Sequence, residues 1–265
     1  MIELRNRTWY GGIMYTKYNL IIALISLPIV IMMAISLCFY LRNKSKKTQL
    51  LPFIMIAGLL ITLEIAKQII GISRESGYNY FFIPLHICSI FLYSLSFATF
   101  FKQDSKISHI GWSVTYFVGL IVMVVMLFAP YQVIGQQSQS LVTGIRQDSL
   151  LIDLHSIIYH YIVVLAVLLM FMLRPYQPKI KDYIKGSLAF LIFLLLSLTV
   201  ATILQVNFAD FRQSDLIGIY DFGTNAIWVQ ILRVIGYISV SWIAILILCL
   251  TPKIYNLLRK QKRTY

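Results

Sequence analysis

The sequence is short of charges, cysteines and long polar stretches, and each shortage excludes a class of protein. Only 12% of its 265 residues are charged, whereas 59% are hydrophobic, and the mean hydropathy is +0.78. A single soluble domain of this length could not bury so much apolar surface. Seven helices of about 20 residues each would use roughly 140 residues, which leaves no room for a soluble catalytic domain. The composition predicts one integral membrane domain over residues 1–265.

Acidic residues are also scarce, with 10 Asp and Glu against 23 Lys and Arg, and the formal net charge is +13. In a soluble protein this balance would suggest nucleic-acid binding. Here most of the basic residues lie between apolar runs, where they set topology and touch anionic headgroups. Membrane phospholipids are therefore the expected partners, and no nucleic acid is. Three cysteines give no indication of a disulfide framework.

Long apolar runs indicate an all-α, polytopic fold with seven transmembrane helices. Each run ends at charges, Pro or polar stretches that contain Gly. The predicted spans are 20–40, 50–72, 80–101, 110–129, 150–173, 184–206 and 227–250.

The distribution of Lys and Arg predicts the orientation of the chain. Alternate segments between the spans hold 15 of these residues on one side and six on the other. Basic residues favour the cytoplasmic side, so the N-terminus is expected outside and the C-terminus inside a cell membrane. The two longest connections, 130–149 and 207–226, then face outward. They are expected to be unstructured loops, with capping of an outward-facing cavity as the alternative.

Strongly polar side chains inside the predicted spans all fall at one depth. Such groups are costly in lipid and indicate functional sites. At ~1.5 Å per residue, all of them lie within about 15 Å of the outer boundary. This depth predicts one extracytoplasmic cavity or lipid-facing cleft. The residues are Glu64, Lys67, His86, Cys88, Asp153, His155, His160, Gln205, Gln230 and Arg233.

Some of these residues are candidates for substrate binding. Glu64 and Lys67, at i,i+3, are most simply an internal ion pair, with substrate binding by Lys67 as the alternative. Arg233 either pairs with Glu64 or binds a phosphate or carboxylate through its planar guanidinium group. The predicted substrate-binding set is His86, Glu64, Lys67, Arg233, Gln205 and Gln230.

Cys88 lies at the depth of the histidines, which makes it a candidate nucleophile. An imidazole of His160 or His155 would take the thiol proton, and Asp153 would orient a histidine. His160 shares a helix face with Asp153 and is the better placed of the two. A zinc-dependent hydrolase is an alternative, but the spacings i,i+2 and i,i+5 are unlike the i,i+4 histidines of zinc helices. No metal or other cofactor is predicted.

Two short segments resemble a known family. Ile83-Pro84-Leu85-His86-Ile87-Cys88 and the later stretch from Leu154 to His160 resemble the motifs of YwaF-type bacterial integral membrane proteins. That family is similar to an animal transmembrane acyltransferase that remodels ether phospholipids through a Cys and a His. The resemblance implies that Cys88 accepts the acyl group and that His155 or His160 is the base. The predicted function is a bacterial membrane acyltransferase or transacylase acting on phospholipid acyl chains. The alternative is a non-enzymatic protein that binds or transports a small anion or a lipid.

Overall fold

The structure, a computed structural model, describes residues 8–10, 13–15, 17–73, 77–144, 150–206 and 227–261. A short antiparallel hairpin pairs β1 (Thr8–Tyr10) with β2 (Ile13–Tyr15). The rest of the described chain is helical, with eight α-helices. These are α1 (Lys17–Leu41), α2 (Lys46–Ile72), α3 (Ile87–Phe100), α4 (Lys106–Phe128), α5 (Tyr131–Thr143), α6 (Leu150–Leu173), α7 (Ile180–Leu204) and α8 (Ile227–Gln261).

Six of the helices are long and apolar enough to cross a membrane, and each falls on a predicted span. Hydropathy placed four helix starts too late, those of α1, α2, α4 and α7, because the first turn of each contains polar residues. α2 begins after Ser45, which accepts a hydrogen bond from the Thr48 N–H at 3.3 Å. α4 begins after Ser105, which caps it in the same way. Capping residues of this kind satisfy N–H groups that a helix leaves unpaired at its start.

α4 and α6 form the centre of the bundle. In each, 61% of the apolar stretch is buried, compared with 17–28% in the other four long helices. Small residues let the neighbours of α4 come close. A Cβ added at Gly111 would lie 2.5 Å from the backbone nitrogen of Ala98 on α3. Without a hydrophobic driving force in lipid, such close backbone packing is what holds helices together.

The predicted third span, 80–101, is not one continuous helix. Residues Tyr80–Phe82 form a single 3-10 turn, and α3 begins only at Ile87. A helix of 14 residues is about 21 Å long, which is less than the ~30 Å of a hydrocarbon core. Pro84 accounts for part of the break, since its nitrogen carries no hydrogen to donate to a helix. The seventh crossing and the orientation of the chain stay predictions.

The connection 130–149 was expected to be a loop, and most of it is helical. α5 packs against α6 and α1, with Ile134 fully buried. The Ser140 hydroxyl on α5 donates a hydrogen bond of 2.5 Å to the carboxylate of Asp153 on α6. The hydrogen bond to Asp153 and the buried apolar contacts stabilise this short helix, which would be marginal in isolation. Residues 145–149, and the predicted loop 207–226, lie outside the described residues.

A second polar cluster lies at the end of the bundle where α3 and α6 finish and α4 and α7 begin. The Asp182 carboxylate accepts hydrogen bonds from the Tyr176 hydroxyl at 3.0 Å and from the Lys179 N–H at 2.9 Å. Its other oxygen lies 4.0 Å from Nδ1 of His109, whose ring packs against Tyr176. Burial, followed by the hydrogen bond to Asp182, raises the pKa of Tyr176. His109, Tyr176 and Asp182 are called the Asp182 cluster below.

Candidate functional site

The last turns of α2 carry a chain of hydrogen bonds that begins at an ion pair. Nζ of Lys67 lies 2.8 Å from a carboxylate oxygen of Glu64, which confirms the predicted i,i+3 pair. The Gln68 amide donates to the same oxygen at 2.6 Å and to the Phe82 carbonyl at 2.7 Å. Its own oxygen accepts a hydrogen bond from the hydroxyl of Tyr78. Glu64 is buried and the Lys67 side chain is only 13% exposed, so this network holds both charges in place.

The non-helical backbone before α3 is held by side chains from three other elements. Ser197 of α7 donates to the Leu85 carbonyl at 2.7 Å. Tyr93 of α3 donates to the Pro84 carbonyl at 3.2 Å, and Gln68 of α2 reaches Phe82. Irregular backbone is tolerated at membrane depth only where protein satisfies its polar groups. These three bonds therefore make the break in the third span possible.

This break places Cys88 in the first turn of α3. His86 is the N-cap residue, and its side chain gives no capping hydrogen bond. Instead, its Nε2 donates to the Phe81 carbonyl at 3.0 Å, and its ring packs on the Phe81 ring with centroids 4.4 Å apart. Cys88 is half-buried. The start of a helix carries partial positive charge and N–H groups without intrahelical partners. The first turn of α3 can therefore stabilise a negative charge on the Cys88 sulfur or on an oxygen next to it.

On α6, two histidines lie on either side of Tyr159. The Tyr159 ring stacks on the His155 ring at 5.8 Å and meets the His160 ring edge-on at 5.3 Å. Its hydroxyl donates to the carbonyl of Cys88 at 3.1 Å. Tyr159 therefore joins the first turn of α3 to both histidines.

The hydrogen bond of His160 fixes which nitrogen can act as a base. Nδ1 lies 2.7 Å from the Ser156 carbonyl, which can only accept, so Nδ1 carries the proton of the neutral ring. Nε2 then holds the lone pair. Within the described part of the chain, Nε2 of His160 and Nε2 of His155 are buried and have no hydrogen-bond partner. Buried nitrogens without partners are uncommon and mark positions where a ligand or a proton can be accepted.

Side chains from three helices meet in one group. Tyr159 of α6 bonds the Cys88 carbonyl, and its ring contacts the rings of His155 and His160. Lys67 of α2 is close enough to interact electrostatically with His86, Cys88, His155 and His160. The Cys88 cluster is defined here as Glu64, Lys67, His86, Cys88, His155, Tyr159 and His160.

Four predicted site residues have other surroundings. Asp153 is buried and is bonded to Ser140 on α5, so its observed partner is a hydroxyl. Gln205 is exposed at the end of α7 and donates to the Thr202 carbonyl of its own helix. Gln230 is buried and Arg233 half-buried on α8, which packs against α4 and α7. Their predicted binding roles stay predictions.

The alternative of a zinc site requires several ligands around one point. Among the residues that the structure describes, no three His, Cys, Asp or Glu side chains are grouped so that they could hold a metal ion. Both histidines of α6 have their ring contacts with Tyr159.

An apolar groove of about 420 Å³ opens beside the Cys88 cluster, between α2 and α3. Glu64 and Gln68 belong to both the groove and the polar network. The remaining lining is mostly apolar and comprises Ile61, Ile65, Ile69, Ile72, Leu92, Tyr93 and Ser96.

With this geometry in view, comparison with known proteins assigns a family. The TMEM164 family matches the chain over residues 14–246. The chain belongs to the TMEM164 family. No curated protein and no solved structure matches it. The TMEM164 match covers every residue of the Cys88 cluster, and together with the six long apolar helices it makes this a multi-pass membrane protein. The YwaF-type relation and acyl transfer remain hypotheses.

Sequence reasoning missed two residues that organise the site of this TMEM164-family protein. Tyr159 connects α6 to the first turn of α3, because its hydroxyl bonds the Cys88 carbonyl. Tyr78 fixes the end of the polar network on α2, because its hydroxyl bonds Gln68. A tyrosine between two histidines at membrane depth was a usable signal, because a buried hydroxyl needs a partner.

Proposed function

We propose that this TMEM164-family protein transfers acyl chains between membrane phospholipids by way of a thioester on Cys88. The observation that carries the proposal is the link from Cys88 through Tyr159 to two histidines whose Nε2 atoms are buried without partners in the described residues. A nucleophile, a base and an orienting group are the usual elements of nucleophilic catalysis.

In the first half of the proposed reaction, His160 Nε2 takes the proton of the Cys88 thiol. The thiolate attacks the ester carbonyl of a phospholipid, so a C–S bond forms and the ester C–O bond breaks. The departing lysolipid oxygen takes the proton back from His160. N–H groups in the first turn of α3, which receive no side-chain cap, would stabilise the oxyanion.

In the second half, His160 removes a proton from the hydroxyl of an incoming lysolipid. The resulting oxygen attacks the thioester carbonyl, the C–S bond breaks, and the thiol is regenerated with the proton from His160. Lys67, held by Glu64 at 2.8 Å, supplies fixed positive charge for a phosphate or for the oxyanion. His155 is the alternative base, since its Nε2 is also buried without a partner in the described residues.

Trapping of the thioester tests the proposal. Purified protein in nanodiscs is incubated with phosphatidylcholine that carries an alkyne on its acyl chain, and hydroxylamine-sensitive label is measured. Cys88→Ala is expected to lose this label. Cys38→Ala and Cys249→Ala are matched controls and are expected to keep it, because both thiols lie on other helices and are half-buried like Cys88. Label that persists in Cys88→Ala would remove this mechanism.

The same proteins also separate the proposal from a binding or transport role. A protein that only binds an anion or a lipid headgroup would form no thioester in any variant. Its lipid binding would survive Cys88→Ala and fail in Arg233→Ala.

We also propose, from the Lys and Arg distribution, that the Cys88 cluster lies on the extracytoplasmic side of a bacterial cell membrane. A C-terminal tag should then be labelled only after intact cells are opened. Labelling of the tag in intact cells would show that the C-terminus lies outside and that the orientation is the opposite of the proposed one.

A further inference from the structure

The groove between α2 and α3 ends near the turn of α3 that carries Cys88. Cys88, Leu92 and Ser96 follow one another at i, i+4 and i+8, so they share one face of α3. Leu92 and Ser96 line the groove. Cys88 therefore lies one helical turn before Leu92, the first residue that α3 contributes to the groove. Eight residues separate Cys88 from Ser96, which is about 12 Å along the helix.

The other wall is an isoleucine stripe on α2. Ile61, Ile65, Ile69 and Ile72 recur at helical spacing and line the groove. Ile65 is 55% exposed and Ile72 is 70% exposed, so the groove is open on its lipid side. A hydrocarbon chain could enter sideways from the bilayer without leaving an apolar environment.

The polar atoms in the groove are already paired. The Glu64 carboxylate is bonded to Lys67 and Gln68, and the Gln68 amide is bonded to the Phe82 carbonyl and to Tyr78. The hydroxyl of Ser96 donates to the Leu92 carbonyl of its own helix at 2.7 Å. A groove with satisfied polar groups suits an apolar ligand better than a headgroup.

We infer that this groove holds the acyl chain that Cys88 receives, with the chain running from the thiol toward Ser96 between α2 and α3. The inference rests on the proposed function and deepens it, because it names the acyl-binding site and the path of the chain. Lipid tails are as apolar as isoleucine, so the groove gains no affinity from the hydrophobic effect. Its contribution is to position the ester carbonyl against the thiol.

A bulky residue in the groove tests the path. Ser96→Phe places an aromatic ring in the groove and is expected to lower thioester formation from long-chain phosphatidylcholine at least tenfold. Acetylation of Cys88 by p-nitrophenyl acetate should change less than twofold, since an acetyl group does not reach position 96. Thr199→Phe is the matched control, because Thr199 also bonds its own helix, at 2.8 Å, and is exposed on α7. It should keep both reactions.

Two outcomes would overturn the inference. Unchanged long-chain thioester formation in Ser96→Phe would show that the acyl chain lies elsewhere. Equal loss of both reactions in a folded Ser96→Phe protein would show that position 96 acts on the thiol rather than on the acyl chain.

Photocrosslinking tests whether an acyl chain occupies the groove, and it needs neither a substitution in the groove nor the reaction. Nanodiscs of phosphatidylcholine with a diazirine at the middle of one acyl chain are irradiated with the wild-type protein and with Cys88→Ala. Crosslinks are expected to be enriched several-fold on the groove residues of α2 and α3 compared with the exposed faces of α1 and α7. An even distribution would contradict the inference. Enrichment in both proteins together with no thioester on Cys88 would reject the proposed function and leave the binding groove in place.

Discussion

The Cys88 cluster and the Asp182 cluster lie at opposite ends of the bundle and use the same types of residue. Each sets a histidine beside a tyrosine, near a carboxylate. In the Asp182 cluster, the carboxylate caps α7 and accepts from Tyr176, and His109 lies beside it. In the Cys88 cluster, the carboxylate is committed to Lys67 and Gln68, while two histidine nitrogens are buried without partners in the described residues.

The difference shows how to distinguish a structural polar cluster from a reactive one. A cluster whose donors and acceptors are all matched stabilises the fold and has nothing left to offer a ligand. A cluster that keeps a buried basic nitrogen without a partner has a cost in stability, and the proposed chemistry would account for that cost. Residue type alone would have made the two ends look alike.

Replacing one histidine of each cluster, His160 or His109, by glutamine should give the greatest difference in activity. His160→Gln removes the base and is expected to lower the rate of thioester formation roughly 10²- to 10⁴-fold. His109→Gln, at the other end, should leave the rate within about twofold, because His109 only packs beside Tyr176 and Asp182. Initial rates with alkyne-labelled phosphatidylcholine measure both.

The same assay on His155→Gln decides which histidine is the base. A large loss in His155→Gln and a small one in His160→Gln would transfer the role to His155. Equal losses in His160→Gln and His109→Gln would contradict the claim that the Cys88 cluster differs in function from the Asp182 cluster.

Asp182→Ala should have the next largest effect, on stability rather than on rate. It leaves the Lys179 N–H and the Tyr176 hydroxyl without their acceptor, which costs roughly 1–3 kcal/mol in the free energy of unfolding. Thermal unfolding in detergent should show the loss, and activity per folded molecule should stay the same. Asp104→Ala, an exposed carboxylate in the turn before α4, is the control and should change little.

Tyr159→Phe should give a smaller effect on activity. It keeps the ring contacts with His155 and His160 and removes only the hydrogen bond to the Cys88 carbonyl. One such bond is worth about 0.5–1.5 kcal/mol, which corresponds to a rate up to about tenfold lower. Tyr116→Phe, which loses its bond to the Tyr176 carbonyl, should lower stability and leave the rate unchanged. If Tyr159→Phe instead lowers stability and leaves the rate unchanged, Tyr159 is a structural residue.

The smallest expected effect is a change in the pH dependence of stability. Burial and the hydrogen bond to Asp182 raise the pKa of Tyr176. The folded protein therefore keeps this phenol neutral where the unfolded chain ionises, near pH 10. The stability it contributes is complete below about pH 10 and is lost as the pH rises further. Between about pH 9 and 11, Tyr176→Phe should lose stability less steeply than the wild type, and identical slopes would contradict the assignment.

The sequence predicted features that depend on local spacing. Apolar runs located six long helices, and the i,i+3 spacing of Glu64 and Lys67 predicted their ion pair. Residue depth grouped Lys67, Cys88 and the histidines, because depth in a membrane follows from position along a span.

Features that depend on contacts between helices distant in the sequence could not be predicted from it. The run 80–101 is apolar throughout, so hydropathy could not reveal that its first residues are non-helical and bonded to α2 and α7. The role of Asp153 also depended on an unforeseen element, since its partner Ser140 lies on α5. The neighbours of His109 could not be predicted either, because Tyr176 and Asp182 come from a distant part of the chain, just before α7 and at its start.

The bond from Ser197 to the Leu85 carbonyl also constrains the biosynthesis of the chain. Its two residues are 112 positions apart, so Leu85 leaves the ribosome long before its partner exists. An unsatisfied carbonyl is costly in hydrocarbon, and newly made segments can delay that cost only by remaining in contact with water. The segment before α3 is therefore expected to wait at the translocation channel or at the membrane surface until α7 has been synthesised, and to settle into the bilayer as one of the last steps of assembly.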